Sequence, residues 1–205
     1  MSTDIEWEKW GMKDPYYAVL THEKFRSSRL TAEARHEFFE SGRNDINHVL
    51  ETCRRYFNPE FSPKSVLDFG CGVGRLLMPL AKIADHAVGL DVSEAMLQEA
   101  LRNCEQNSVR NVAVYKSDDT LSSLSGSFDL IHSYIVLQHI PVERGRRIFH
   151  NLLTHLNEGG ICAIQLTYFN NIQAINTGAH VEAESNFKKD SEKVGQGCAG
   201  LCDQA

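Results

Sequence analysis

Residues 67–75 read LDFGCGVGR, with glycine at positions 70, 72 and 74 and an acid, Asp68, just before them. The run follows a short apolar stretch, Ser65-Val66-Leu67, and precedes a helical pattern over residues 75–84. Glycine tolerates positive φ and lets a ligand come close to the main chain. Such a turn between strand and helix suits a nucleotide-like cofactor, and by itself it also suits an ordinary tight connection. Two details narrow the chemistry. In G-x-G-x-x-G the third glycine permits close helix–strand packing. Counted from Gly70 and Gly72, that position is Arg75, which is long and charged. The phosphate loop G-x-x-x-x-G-K-[ST] has no match in this region. What remains, acid-x-G-x-G-x-G, suits a cofactor with nucleoside and amino-acid parts and no pyrophosphate. The second detail is Asp91, directly after the apolar run 86–90 and about 20 residues beyond Gly70. A carboxylate there can accept from both ribose hydroxyls. The alternative is that Asp91, or Ser93, caps the following helix.

Strands and helices alternate from residue 65 to 167, which predicts a parallel, doubly wound α/β sheet. The strands fall at Ser65–Phe69, 86–90, 111–115, Phe128–Ser133 and 161–167. Leu76, Leu77, Leu80, Ala81 and Ala84 recur at helical spacing, with Pro79 near the first turns, where its missing N–H does least harm. Ser93 starts a helix with Met96, Leu97, Ala100, Leu101 and Cys104 on one face. Pro141 opens another that buries Ile148, Phe149, Leu152, Leu153 and Leu156, and Glu158-Gly159-Gly160 ends it. In such sheets ligands sit beyond the carboxyl ends of the strands, where strand order reverses. Asp68, Asp91, Asp118 and Tyr134 all fall at such ends. Residues 1–60 stand outside this alternation. Asn44 can cap a helix with Ile46, Val49, Leu50, Cys53 and Phe57 as its stripe. Trp7, Trp10, Tyr16, Tyr17, Phe25, Phe38 and Phe39 precede it. Large apolar residues mostly serve burial, and Tyr16 and Tyr17 are the best candidates for a further role.

The glycine run, Asp91, FDLIHSYIVLQHIP (residues 128–141) and LNEGGICAI (Leu156–Ile164) together resemble the successive motifs of class I S-adenosylmethionine-dependent methyltransferases. The resemblance covers about residues 65–167 and implies a Rossmann-like, mostly parallel sheet. It divides the chain into a helical extension (1–60), a cofactor-binding domain (61–169) and a polar tail (170–205). It implies S-adenosylmethionine as cofactor, leaving as S-adenosylhomocysteine. Gly70, Cys71, Gly72 and Gly74 would let the backbone approach its methionine and ribose portions. Asp68 would orient the turn or the methionine ammonium, and Asp91, with Val92 beside it, would hold the ribose. Asp118 would accept from the adenine amino group, unless it only shapes a polar turn, and Asp119 could add a backbone N–H. Ser133 and Tyr134 would line the methionine end. The extension would cover the cofactor. Family members commonly end with a further helix and an antiparallel hairpin, and residues 170–205 show neither pattern. Either the chain is therefore truncated or divergent there, or the tail is disordered. The last strand is then an exposed edge for a partner or a second copy.

Methyl transfer from a sulfonium needs alignment and exclusion of water. A base helps only where the acceptor must lose a proton. His139, in LQHIP, is the candidate, with packing or a hydrogen bond at the helix start as its alternative. The other histidines lack ligand spacing, and His150 and His155 are off a common helical face, so no metal is expected.

The chain of 205 residues is 42% hydrophobic and carries a formal charge of −6. That charge argues against a large phosphate-neutralising surface. Arg144, Arg146 and Arg147 beside Glu143 read as a solvated helix face. No Asn/Asp-Pro-Pro-aromatic run and no Pro-Cys nucleophile occurs. These features favour a small-molecule acceptor and exclude nucleic acid. No run nears the ~18 apolar residues of a membrane span, and the acidic start MSTDIEWEKW is unlike a secretory signal. Six scattered cysteines suit reduced thiols in the cytoplasm, and Cys198 and Cys202 alone do not make a zinc site. The expected activity is methylation of a small-molecule O or N nucleophile. A truncated, non-catalytic S-adenosylmethionine-binding module is the alternative, and Arg75 disfavours a dinucleotide oxidoreductase.

Overall fold

Among the described residues, five strands form one sheet in the order β3-β2-β1-β4-β5. They are β1 (Ser65–Phe69), β2 (His86–Asp91), β3 (Val112–Lys116), β4 (Phe128–Ser133) and β5 (Leu156–Ile164). Every ladder is parallel. The computed structural model describes residues 3–166. Helices α1 (Thr3–Lys13), α2 (Pro15–Val19) and α3 (Ala32–Tyr56) precede the sheet. Helices α4 (Leu77–Lys82), α5 (Glu94–Gln106) and α6 (Val142–Thr154) make the crossovers from β1 to β2, β2 to β3 and β4 to β5. The chain runs outward from β1 to β3 and then returns to place β4 beside β1. Strand order therefore reverses between β1 and β4, and a crevice opens beyond their carboxyl ends.

Both faces of the sheet are covered, as parallel sheets require. Alternation along the strands sorts the core into two layers. Val66, Ala87 and Leu130 pack with Ile46 and Leu50 of α3, Leu77 and Leu80 of α4 and Leu97 of α5. Leu67, Phe69 and Ile131 face the other way, onto Ile148 and Leu152 of α6. A third cluster joins Tyr16, Phe25 and Phe38 to Val73 of the glycine turn and Met96 of α5. The N-terminal helices are thus packed onto the elements that carry the site.

Three expectations need correction. Helix α3 starts far earlier than Asn44, with Thr31 Oγ1 accepting from the Ala34 N–H at 3.2 Å. Gly42 lies inside that helix, against the main chain of Arg75. Strand β5 begins at Leu156, because Gly159-Gly160 forms an irregularity in the β4–β5 ladder instead of a helix end. Leu101 and Leu153 face out, at 47% and 40% exposure. The expected tail and divergent hairpin, residues 170–205, lie outside the described residues. Cys53, Cys71, Cys104 and Cys162 are free thiols. Among the described residues no helix is long and apolar enough to cross a membrane, and no group of side chains is arranged to hold a metal.

Candidate functional site

The glycine turn takes the backbone shape its composition permits. Gly70, Gly72 and Gly74 have φ of 78°, 51° and 86°, a region that side chains rarely tolerate. The Gly70 and Cys71 N–H groups both donate to Leu90 O, at 2.7 and 2.9 Å, tying the turn to the end of β2. A Cβ on Gly70 would lie 2.3 Å from Val136 Cγ2. The loops after β1 and β4 therefore touch only because position 70 is bare.

Asp91 closes the same connection. Its Oδ2 accepts from the Gly72 N–H and its Oδ1 from the Ser93 N–H, each at 2.9 Å. Ser93 performs the capping separately, with Oγ accepting from the Met96 N–H. Burial pushes the Asp91 carboxyl up to about 6, against the pull of the Ser93 and Gly72 N–H groups and with added repulsion from Asp68. Each oxygen retains acceptor capacity, since an ionised carboxylate offers about four lone-pair sites.

A cleft of about 110 Å³, partly open to solvent, lies in front of this turn. Gly70, Gly72, Asp91, Val92, Asp118, Asp119, Tyr134 and His139 line it. Asp68, Cys71, Gly74 and Ser133 do not. The Ser133 hydroxyl donates to Phe69 O at 2.9 Å, locking β4 to β1. Cys71 Sγ points into the core near Gly89, and burial raises its thiol well above the ordinary range. Gly74 faces Ala100 of α5. Asp68 is buried, with Oδ1 2.9 Å from His132 Nδ1.

The two acids after β3 differ. Asp118 Oδ1 accepts from the Thr120 N–H and hydroxyl, both at 2.8 Å, and from the Ser122 N–H at 3.1 Å. Its other oxygen takes the Ser122 hydroxyl. These bonds hold its carboxyl far below the usual range, Ser122 contributing most. Much of its capacity therefore serves its own turn. Asp119 accepts from Arg144 Nε at 2.6 Å.

Arg144 corrects the expectation of a purely solvated arginine face. It is forked onto Asp4 of α1 at 2.7 and 2.9 Å as well as bound to Asp119, and it lines the cleft. Arg146 and Arg147 are exposed as expected. Helix α1 thus lies over the cleft, held by Asp4, by Glu8 accepting from the Ala95 N–H at 3.4 Å, and by Gly11 against Ser93. Its Trp7 also lines the cleft and meets the His139 ring edge-on, centroids 5.2 Å apart. Burial lowers the His139 pKa below its ordinary value. Tyr16 is structural: its hydroxyl bonds Glu99 and Asn103 of α5 at 2.6 and 2.9 Å. Tyr17 stacks under Arg26. Arg75, 3% exposed, reaches back to Ser41 and Asp45 of α3 at 3.1 and 2.6 Å. Trp7 and Arg144 were missed because their partners lie far away in sequence. Ile135 was missed too; it lines the cleft with φ at 59°, unusual for a β-branched residue.

Residues 66–160, which span β1 to the middle of β5, match the family model of a methyltransferase domain. Over these residues the chain is similar to class I S-adenosylmethionine-dependent methyltransferases. Among curated methyltransferases, it is 37% identical over 110 residues to trans-aconitate 2-methyltransferase of Deinococcus radiodurans, covering 53% of this chain and 40% of that protein. It is 30% identical over 117 residues to ribosomal protein L11 methyltransferase of Caldanaerobacter subterraneus, covering 56% and 36% respectively. The chain therefore spans less than half the length of these methyltransferases. The solved magnesium protoporphyrin IX methyltransferase of Synechocystis, with S-adenosylmethionine bound, shares the fold at a TM-score of 0.54. That match has 20% identity and covers 77% of this chain and 73% of the other.

Proposed function

We propose that the cleft binds S-adenosylmethionine and that the protein transfers its methyl group to an oxygen or nitrogen nucleophile of a small molecule. The observation that carries this reading is the Asp91–Gly72 bond. It places a carboxylate with unused acceptor capacity against a bare backbone turn at the rim of the cleft. Ribose hydroxyls would complete the Asp91 carboxylate and favour its charged form. Gly70 and Gly72 would let the chain approach the cofactor closely, with Val92, Asp118 and Asp119 on the nucleoside side and Tyr134 toward the methionine end.

When bound, the cofactor supplies a methyl group on a sulfonium: the acceptor lone pair forms the new C–O or C–N bond while the C–S electron pair departs on sulfur. The residues of this chain then have three tasks. Asp91 and the glycine turn hold the donor in line. Trp7 of α1 and Tyr134 restrict water. His139, whose pKa burial lowers, takes the proton of a hydroxyl or ammonium acceptor. The roof formed by α1 and the negative net charge favour a small acceptor over a polymer. The named relatives support both kinds, one acting on trans-aconitate and one on a ribosomal protein. Free thiols at four cysteines suit a reducing compartment such as the cytoplasm.

Calorimetric titration with S-adenosylhomocysteine and with NADH tests the cofactor. Binding of the first alone, lost in Asp91→Ala, is expected; tight binding of NADH would overturn the reading. A screen of small metabolites with methyl-labelled donor tests transfer. Intact binding with no acceptor methylated would favour a binding module.

A further inference from the structure

Arg144 puts a guanidinium in the wall of the cleft, and among the described residues no other arginine or lysine lines it. Four carboxylates do: Asp4, Asp91, Asp118 and Asp119. The net positive charge of S-adenosylmethionine offsets only part of that excess. A guanidinium receives carboxylates on two planar faces, end-on through its outer nitrogens and side-on through Nε. Both are taken here. Asp4 forks onto the end-on face, with Nη1 and Nη2 donating at 2.7 and 2.9 Å. Asp119 takes Nε at 2.6 Å. The two acids differ in where they come from. Asp119 belongs to the wall, and its main-chain carbonyl accepts from Asn151 Nδ2 at 2.9 Å. Asp4 comes down from α1, the roof. It stands one helical turn before Trp7, which meets the candidate base His139. Asp4 therefore occupies, close to the reacting end of the cleft, the place that the carboxylate of an acceptor would take on Arg144. The wall around it is apolar, with Ile135, Ile140 and Ile148 beside Trp7.

We propose that Asp4 is a specificity-determining residue: by filling the Arg144 fork it closes the cleft to acceptors that carry a carboxylate or phosphate, and selects amines and phenols without an anionic group. This rests on the function proposed above and narrows its small-molecule acceptor. An anionic acceptor would meet Asp4 and Asp119 with no open cation to receive it, so the repulsive element is built into the roof. An amine or a neutral phenol meets the same wall without that penalty.

The test uses two phenols of one shape, tyramine with an ammonium and 4-hydroxyphenylacetate with a carboxylate. Each is titrated calorimetrically into the full chain saturated with S-adenosylhomocysteine. The unaltered protein should favour tyramine by roughly 10-fold or more, the scale of one charge-assisted bond. Asp4→Ala opens the fork and should raise affinity for 4-hydroxyphenylacetate by roughly the same factor. Asp4→Asn, which keeps the shape and loses the charge, should move the preference the same way by less. Arg144→Ala frees α1 just as Asp4→Ala does, but it removes the fork, so it should gain nothing for the carboxylate. A residue that only pinned the roof would make those two variants behave alike, and that result would overturn the proposal. So would equal binding of the two phenols to the unaltered protein, or binding of neither. In each of these cases S-adenosylhomocysteine still binds and the cofactor reading stands; failure of the unaltered protein to bind it would sink both.

Discussion

Asp91 is where the site's electrostatics can be measured. Its carboxyl stands at about 6, above the ~3.9 of an unfolded aspartate. A raised folded pKa means that its stabilising contribution is fully present below the unfolded value and is lost as pH rises through about 6. Ribose hydroxyls would donate to the charged form and pull the pKa back down. Cofactor uptake near pH 6 should then release a proton, and affinity should weaken as pH falls from about 7 to 5. Calorimetry in buffers of different ionisation enthalpy reads that proton directly, and Asp91→Ala should remove it. His139 offers a second measurement. With its edge contact to Trp7 removed in Trp7→Ala, its pKa should rise toward the ordinary ~6.5, while Trp7→Phe should hold it low. An unchanged His139 titration by NMR would show that the burial comes from elsewhere. Gly70, Gly72, Asp91 and His139 were legible because strand-to-helix spacing alone puts them at the crevice. Trp7 and Arg144 were not, since side-chain direction and partners from distant segments decide them.

Among the elements, the strands were the most legible. The bounds of β1 and β4 follow from apolar runs ended by turn residues. Helix α3 was started too late because Asn44 can cap and Thr31 caps instead, and strand β5 because its glycines read as a helix end. Gly42 lies inside α3 because a Cβ there would meet Arg75 O at 2.3 Å, so it permits helix contact and does not mark an end. Gly159 and Gly160 bend a strand. That contact yields a prediction. Gly42→Ala has good helix propensity, yet should destabilise the protein by about 1–3 kcal/mol, because the clash is with main chain and forces α3 away from the turn. Chemical denaturation checks the sign; a stabilised variant would show that α3 can shift freely. Helix α1 tests differently. Arg144→Ala removes its fork to Asp4 and the bond to Asp119. Limited proteolysis should then cut the N-terminal segment sooner, with little change in global unfolding.

In the molecule as a whole, the cleft lies at the place its topology prescribes. The order β3-β2-β1-β4-β5 gathers the ends of β1, β2 and β4 into one crevice, and alternating strands and helices were enough to expect it. Residues Met1–Ile164 form one compact unit, so α1 and the sheet belong to the same body as the site. A ligand in the crevice therefore touches elements from nearly the whole length of that unit. It should shift a single cooperative transition and leave its shape intact. At a hundred times its Kd, S-adenosylhomocysteine should add about 2.7 kcal/mol. For a protein of this size that is roughly 5–10 °C in Tm. NADH at equal concentration should add nothing, and Asp91→Ala should lose most of the shift. Splitting of the transition in the presence of ligand would mean that the N-terminal helices unfold apart from the sheet, and α1 would then not be part of the binding unit. A shift of the undivided transition places Trp7 and Arg144 within the same cooperative structure as the glycine turn, which is what a roof over the reacting atoms requires.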